Sequence, residues 1–141
     1  MREIADLERI RRFMRALGQA GRNEARVYFT GGASAVLVGW RATTIDVDIK
    51  LVPEADDLLR AIPGLKDSLR INVELASPDQ FIPAVPGWEE RGPFIEQEGR
   101  IAFYHYDFYG QALAKLERGH RQDLEDVLAM LDRALIEPAA L

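Results

Sequence analysis

The period of the hydrophobic positions changes several times along the chain, and each change marks an element. Between residues 2 and 18, Ile4, Leu7, Ile10, Phe13, Met14 and Leu17 recur every three or four residues, the spacing of one apolar helix face, with Gly18 and Gly21 as its end. The β-branched and aromatic run ARVYFT, residues 25 to 30, predicts a buried strand, and Gly31-Gly32 a turn. ASAVLVGW, residues 33 to 40, is small and apolar all round and predicts a short buried helix. TTIDVDIKLV then alternates, with Ile45, Val47, Ile49 and Leu51 on one face of a strand and Asp46, Asp48 and Lys50 on the other.

Pro53 and the early acids Glu54, Asp56 and Asp57 predict a helix over PEADDLLRAI, ended by Pro63-Gly64. LRINVELA alternates again, with Ile71, Val73 and Leu75 opposite Asn72 and Glu74. Residues 77 to 92 are rich in loop formers. PFIEQ and RIAFYHYDF predict a hairpin turned at Glu98-Gly99, and YGQALAKLERGH and QDLEDVLAMLDRALI two closing helices. No repeat or linker divides the chain. A single domain over residues 1 to 141 is expected, with a core over about 26–106 and C-terminal helices over about 107–136.

Composition changes this picture little. A chain of 141 residues that is 48% hydrophobic and 29% charged suits a soluble globular domain. No apolar run reaches the roughly 18 residues of a membrane span, and the charged N-terminus lacks a signal-peptide core. The absence of cysteine excludes a disulfide framework and a thiolate zinc site, and a cytoplasmic location is expected. A net charge of −5 argues against an obligate grip on nucleic acid. Arg9, Arg11, Arg12, Arg15, Arg22 and Arg26 form a local basic cluster, best read as a solvated helix face.

The candidate chemistry lies on the second strand. Asp46 and Asp48, two residues apart, project from one face about 7 Å apart, and two such carboxylates repel unless a cation joins them. Oxygen ligands suit a hard divalent ion, and magnesium typically completes its shell with water and substrate phosphates. Glu74 on the later strand adds a third carboxylate if the two strands are neighbours. Three such groups can hold two ions about 4 Å apart for displacement at phosphorus. Gly31 and Gly32 allow backbone N–H groups to approach a ligand at a helix N-terminus, where Ser34 adds a hydroxyl, so together they form a candidate anion site for a triphosphate.

This conjunction resembles the nucleotidyltransferase superfamily related to DNA polymerase beta, whose signature is a Gly-Gly or Gly-Ser turn, an acid-x-acid strand about ten residues on, and a later third acid. RATTIDVDI, residues 41 to 49, is similar to small bacterial nucleotidyltransferase-like proteins, among them toxins of toxin–antitoxin pairs. ALAKLERGHRQDLEDV resembles their C-terminal part, where a lysine, an arginine and paired aspartates recur; these positions are Lys115, Arg118 or Arg121, Asp123 and Asp126 here. The resemblance implies an α+β fold, a mixed sheet with helices packed mainly on one face. It also implies transfer of a nucleoside monophosphate from a nucleoside triphosphate to an acceptor hydroxyl, with release of pyrophosphate. By position, Asp46 and Asp48 would bind Mg2+, Glu74 would orient or deprotonate the acceptor, Gly32 and Ser34 would hold the triphosphate, and Lys115 would reach a phosphate. Larger members add a helical domain to hold the base or the acceptor, a task for which this sequence offers little beyond its two closing helices. Either the acceptor is small, or a second copy or an antitoxin partner completes the cleft.

Two other classes compete: a non-catalytic partner module that keeps the fold, and a phosphohydrolase built on the same acids. His105, in an aromatic strand run, is expected to pack in the core or an interface, and His120 to cap a helix or face solvent; the two do not make a metal pair by spacing. Trp40 and Trp88 are expected in the core. GGASAVLVGWR lacks the lysine-hydroxyl ending of a P-loop.

Overall fold

The computed structural model describes residues 4–140. Five strands form one mixed sheet in the order β5-β4-β2-β7-β6: β2 (Ala25–Thr30), β4 (Asp46–Val52), β5 (Asn72–Leu75), β6 (Phe94–Glu98) and β7 (Ile101–His105). The central strand β2 runs antiparallel to β4 and parallel to β7. The outer strand β5 lies parallel to β4, and the β6–β7 hairpin closes the other side. A separate two-stranded ribbon pairs β1 (Ala5–Asp6) with β3 (Thr43–Thr44). The fold is α+β, with the mixed sheet expected from the sequence.

Alternation along the strands divides the sheet into two faces. Val27, Phe29, Val47, Ile49, Leu51, Ile101 and Phe103 pack on one face against α1 (Leu7–Ala20) and α3 (Asp56–Ser68), whose Phe13, Leu17, Leu58 and Ile62 are buried there. Asp46, Asp48 and Lys50 lie on the other face, as predicted. Tyr28 and Tyr104 share it, stacked with ring centroids 5.3 Å apart. A smaller core joins α5 (Phe108–Arg118) to α6 (Arg121–Asp132) through Phe108, Ala112, Val127 and Met130, with Trp40 packed against it.

Several elements depart from the sequence expectation. The predicted N-terminal helix begins at Leu7, because Asp6 accepts the Arg9 N–H and caps it; residues 1–3 lie outside the described part. Ile4 and Leu7 are exposed, so the buried stripe starts at Ile10. Gly18 lies inside α1, not at its end: the Glu98 backbone passes so close that an added Cβ would lie 2.6 Å from its carbonyl oxygen. Ile45, expected in the core, is 72% exposed. The chain leaves the β1–β3 ribbon at Thr44 and enters the main sheet at Asp46, and the alternation breaks between them.

Pro53 does not open a helix. Val52 still pairs with Arg26, a turn closed by the Ala55 N–H on the Pro53 carbonyl follows, and α3 starts at Asp56. Nor does Pro63 end α3, which continues to Ser68 because Leu65 and Leu69 extend its apolar face onto the core; packing here outweighs the lost hydrogen bond. The 77–92 loop contains a 3-10 turn at Pro78–Gln80 and the short α4 (Trp88–Arg91). It crosses the second face as a strap, with Lys50 paired to Asp79 at 2.8 Å, Arg26 to Glu89 at 2.9 Å, and Trp88 stacked on Tyr106. Half of the arginine cluster is engaged by its side chains: Arg9 donates to the Leu69 and Arg70 carbonyls, Arg12 pairs with Glu8, and Arg26 with Glu89.

Candidate functional site

β2 and β4 place the acids. Thr30 pairs with Asp48 at the strand ends where α2 (Gly31–Val38) begins, so Asp48 lies beside the α2 N-terminus. Across the other edge of β4, Asp46 pairs with Asn72 and Asp48 with Glu74. All four side chains therefore share one face. The Asn72 amide donates to Asp46 and, at 3.2 Å, to Glu74, so it stands between them. Burial raises the Asp48 pKa to about 6, and the neighbouring charges of Asp46 and Glu74 add to the rise against the opposing Arg118 and Lys115.

The opposite wall comes from α5. Lys115 and Arg118 lie within one turn of each other, and both line the cavities that contain Asp48. A deeper ion network holds them. Buried Asp126, on α6, accepts Lys115 at 2.9 Å and also Arg41, Trp40 and Gln122. Burial acts to raise the Asp126 pKa, but the hydrogen bonds from Lys115 and Trp40 and the charges of Lys115 and Arg41 outweigh it and hold it low. Asp123 takes Arg118 on one oxygen and lies 3.8 Å from Lys115; its other oxygen is buried without a hydrogen-bond partner. Of the two arginine alternatives, Arg118 pairs with Asp123 and lines the cleft, whereas Arg121, at the first position of α6, does not line it.

The glycines and Ser34 occupy other places than the sequence suggested. Gly31 and Gly32 form the first turn of α2 itself. Gly31 has φ +61°, in the left-handed region open to glycine, and an added Cβ would lie 3.3 Å from the Asp48 carboxylate. At Gly32 an added Cβ would run into Thr44. Ser34 is fully buried, its hydroxyl donating to the Phe29 carbonyl at 3.0 Å and contacting His105 Nδ1 at 3.0 Å. It therefore points into the core and away from the cleft.

Gln111 was not singled out in the sequence, yet it locks this corner. Its Nε2 donates to the Tyr106 carbonyl and to Ser34 Oγ, and its Oε1 accepts the Gly31 N–H at 3.0 Å. With the Ser34 proton committed to Phe29, His105 must donate through Nδ1, which defines its neutral tautomer; burial lowers the His105 pKa to about 4. An i, i+4 relation to Lys115 on a helix already known to line the site is the signal that would have found Gln111.

Among the described residues, no three His, Cys, Asp or Glu side chains are grouped so as to hold a metal ion. The expected three-acid, two-metal cluster is thus not gathered: Glu74 is exposed on the outer strand, and the Asn72 amide is interposed between it and Asp46. The Asp46–Asp48 pair still suits Mg2+, which needs only one or two protein carboxylates when substrate phosphates and water fill its shell.

Paired acids thus stand at the mouth of the β2–α2 junction of a mixed sheet, faced by helical cations, and a family model matches the chain that builds them. That model, nucleotidyltransferase of unknown function (DUF6036), covers residues 5–137. The chain belongs to this family. No curated protein and no solved structure matches it. The family match takes in the acids and the α5–α6 network of this nucleotidyltransferase-family chain alike. Among the described residues, no helix is long and apolar enough to cross a membrane.

Proposed function

We propose that the protein is a Mg2+-dependent nucleotidyltransferase that moves a nucleoside monophosphate from a nucleoside triphosphate to an acceptor hydroxyl. The observation that supports it best is the opposition, across one cleft, of the Asp46–Asp48 pair and the cations Lys115 and Arg118. Asp46 and Asp48 would hold the ion, which when bound would neutralise phosphate charge and lower the pKa of the attacking hydroxyl. Lys115 and Arg118 grip the non-bridging phosphate oxygens and stabilise charge on the leaving pyrophosphate. The acceptor oxygen bonds to the α-phosphorus as the bond from that phosphorus to the bridging oxygen breaks. Glu74, solvent-exposed and opposite Asp48, takes the acceptor proton.

Asp46→Asn combined with Asp48→Asn should abolish Mg2+-dependent triphosphate binding, measured by calorimetric titration, while the circular dichroism spectrum stays that of the parent. Parental binding by the double variant would sink the metal assignment. Incubation with labelled triphosphates and a range of protein, RNA and small-molecule acceptors then tests transfer itself. One observation favours a second function: among the described residues no third acid is grouped with Asp46 and Asp48 so as to hold a metal, which suits a partner module that has kept the fold and lost catalysis. Such a module would show no transfer to any acceptor and would form a stable complex with a partner protein, the arrangement expected of a toxin–antitoxin pair.

A further inference from the structure

The cavity between Asp48 and α5 is chemically two-ended. Asp48, Lys115 and Arg118 make its charged side, and Ala76, Pro78 and Ala114 its apolar side. Phe81 stands on the apolar side, 58% exposed, although it is a large hydrophobic residue. Its backbone is held there: the Phe81 and Ile82 N–H groups both donate to the Pro78 carbonyl at 3.0 Å, and Asp79 within the same turn is pinned to Lys50. An apolar ring fixed beside a cationic anion site matches a ligand with an aromatic end and a phosphate end.

Building on the nucleotide assignment above, we propose that Phe81 is the stacking surface for the base of the incoming nucleoside triphosphate, and that it takes all four bases alike. The cavity is about 60 Å³, well below the roughly 300–1,000 Å³ of a pocket that encloses a ligand, so the base lies against its rim. Ser77 donates to Asp79, and the Gln111 amide is committed to Tyr106, Ser34 and Gly31, so neither is free to read a base edge; Thr30, the other hydroxyl of the lining, is paired along the backbone with Asp48 at the charged side. Stacking on a phenyl ring discriminates little among bases, since each presents a π-face.

The test compares the four nucleoside triphosphates with inorganic tripolyphosphate, each with Mg2+, on the parent, Phe81→Ala and Phe81→Trp. The parent should bind every nucleoside triphosphate about tenfold tighter than tripolyphosphate, with the four within a few-fold of one another. Phe81→Ala should bring all four down to the tripolyphosphate level and leave tripolyphosphate itself unchanged; Phe81→Trp should restore the difference. Equal binding of triphosphates and tripolyphosphate by the parent, or no loss in Phe81→Ala, overturns the stacking role while the phosphate site stands. A preference for one base of more than about tenfold that survives Phe81→Ala overturns it as well. If the parent binds neither kind of ligand, the nucleotide assignment falls, and the stacking role with it.

Discussion

The two faces of the central sheet are built from the same strands, yet they do different work. On the helix-covered face, Phe29 and Phe103 stack 5.8 Å apart, and Ile49 and Val47 are buried beside them. On the other face the same strands present Asp46, Asp48 and Lys50, half covered by the 77–92 strap. The difference teaches that one residue of register separates stability from chemistry here. The faces also respond to acid with opposite sign. His105 sits on the helix-covered side with Ser34, its pKa depressed by burial. Asp48 sits on the cleft side, its pKa raised by burial and like charge.

The strongest way to sharpen that contrast is Phe29→Ala. Removing a fully buried ring should cost about 3–5 kcal/mol in denaturant unfolding, and triphosphate affinity of the folded fraction should not move. Lost affinity at unchanged stability would show the faces to be coupled.

The next effect is His105. Between its folded pKa of about 4 and its ordinary value of 6.5 the unfolded chain binds more protons, so stability falls as pH drops through that window. At about 1.4 kcal/mol per unit the loss is about 3 kcal/mol. His105→Asn, which keeps a donor toward Ser34, should remove this slope from the pH profile of unfolding.

Asp48 works the other way. Its folded pKa of about 6 exceeds the ordinary 3.8, so the folded state binds more protons between those values and stability falls as pH rises through them. In the presence of a chelator, Asp48→Asn should therefore be more stable than the parent at pH 7 by about 1–2 kcal/mol, after discounting for solvent screening of the partly exposed carboxyl. The gain should vanish below pH 4, and a destabilised variant at pH 7 would contradict the repulsion inferred at the site.

The smallest effect marks the seam where the alternation breaks. Ile45→Ser should change unfolding free energy by less than about 0.5 kcal/mol, against about 2–5 kcal/mol for Ile49→Ala four residues on. A large loss at Ile45 would mean that the junction between ribbon and sheet, and not Ala5 of the ribbon alone, carries core packing.

These residues also define how far the sequence could be read. Period located β4 and β5 and put Asp46 and Asp48 on one face, because burial on the opposite face enforces alternation; β-branched and aromatic residues marked β2, and the Glu98-Gly99 turn marked the β6–β7 hairpin. It misplaced Ile45, since nothing in a period of two records that the chain changes sheets at Thr44. It ended α3 at Pro63, because the local cost of proline is visible and the distant support for Leu65 and Leu69 is not. Lys115 and its aspartates came from the family likeness; what Asp126 holds together, Arg41, Trp40, Gln122 and Lys115, spans some 85 residues of chain that no local pattern links. Ser34 was assigned to the cleft from its place near two glycines, and only the course of β7 past α2 shows that His105 claims it.

The place of β2 at the middle of the sheet has one more consequence. It joins β4, which comes after it in the chain, to β7, which comes some fifty residues later still. Asp46, Asp48 and Glu74 all precede the strap, and the α5 cations that face them, Lys115 and Arg118, come after Phe108. A chain still on the ribosome and cut off at the strap holds these carboxylates without Lys115 and Arg118 across from them. On the proposed function, the half of the cleft that grips phosphate is therefore made only after the half that holds the metal.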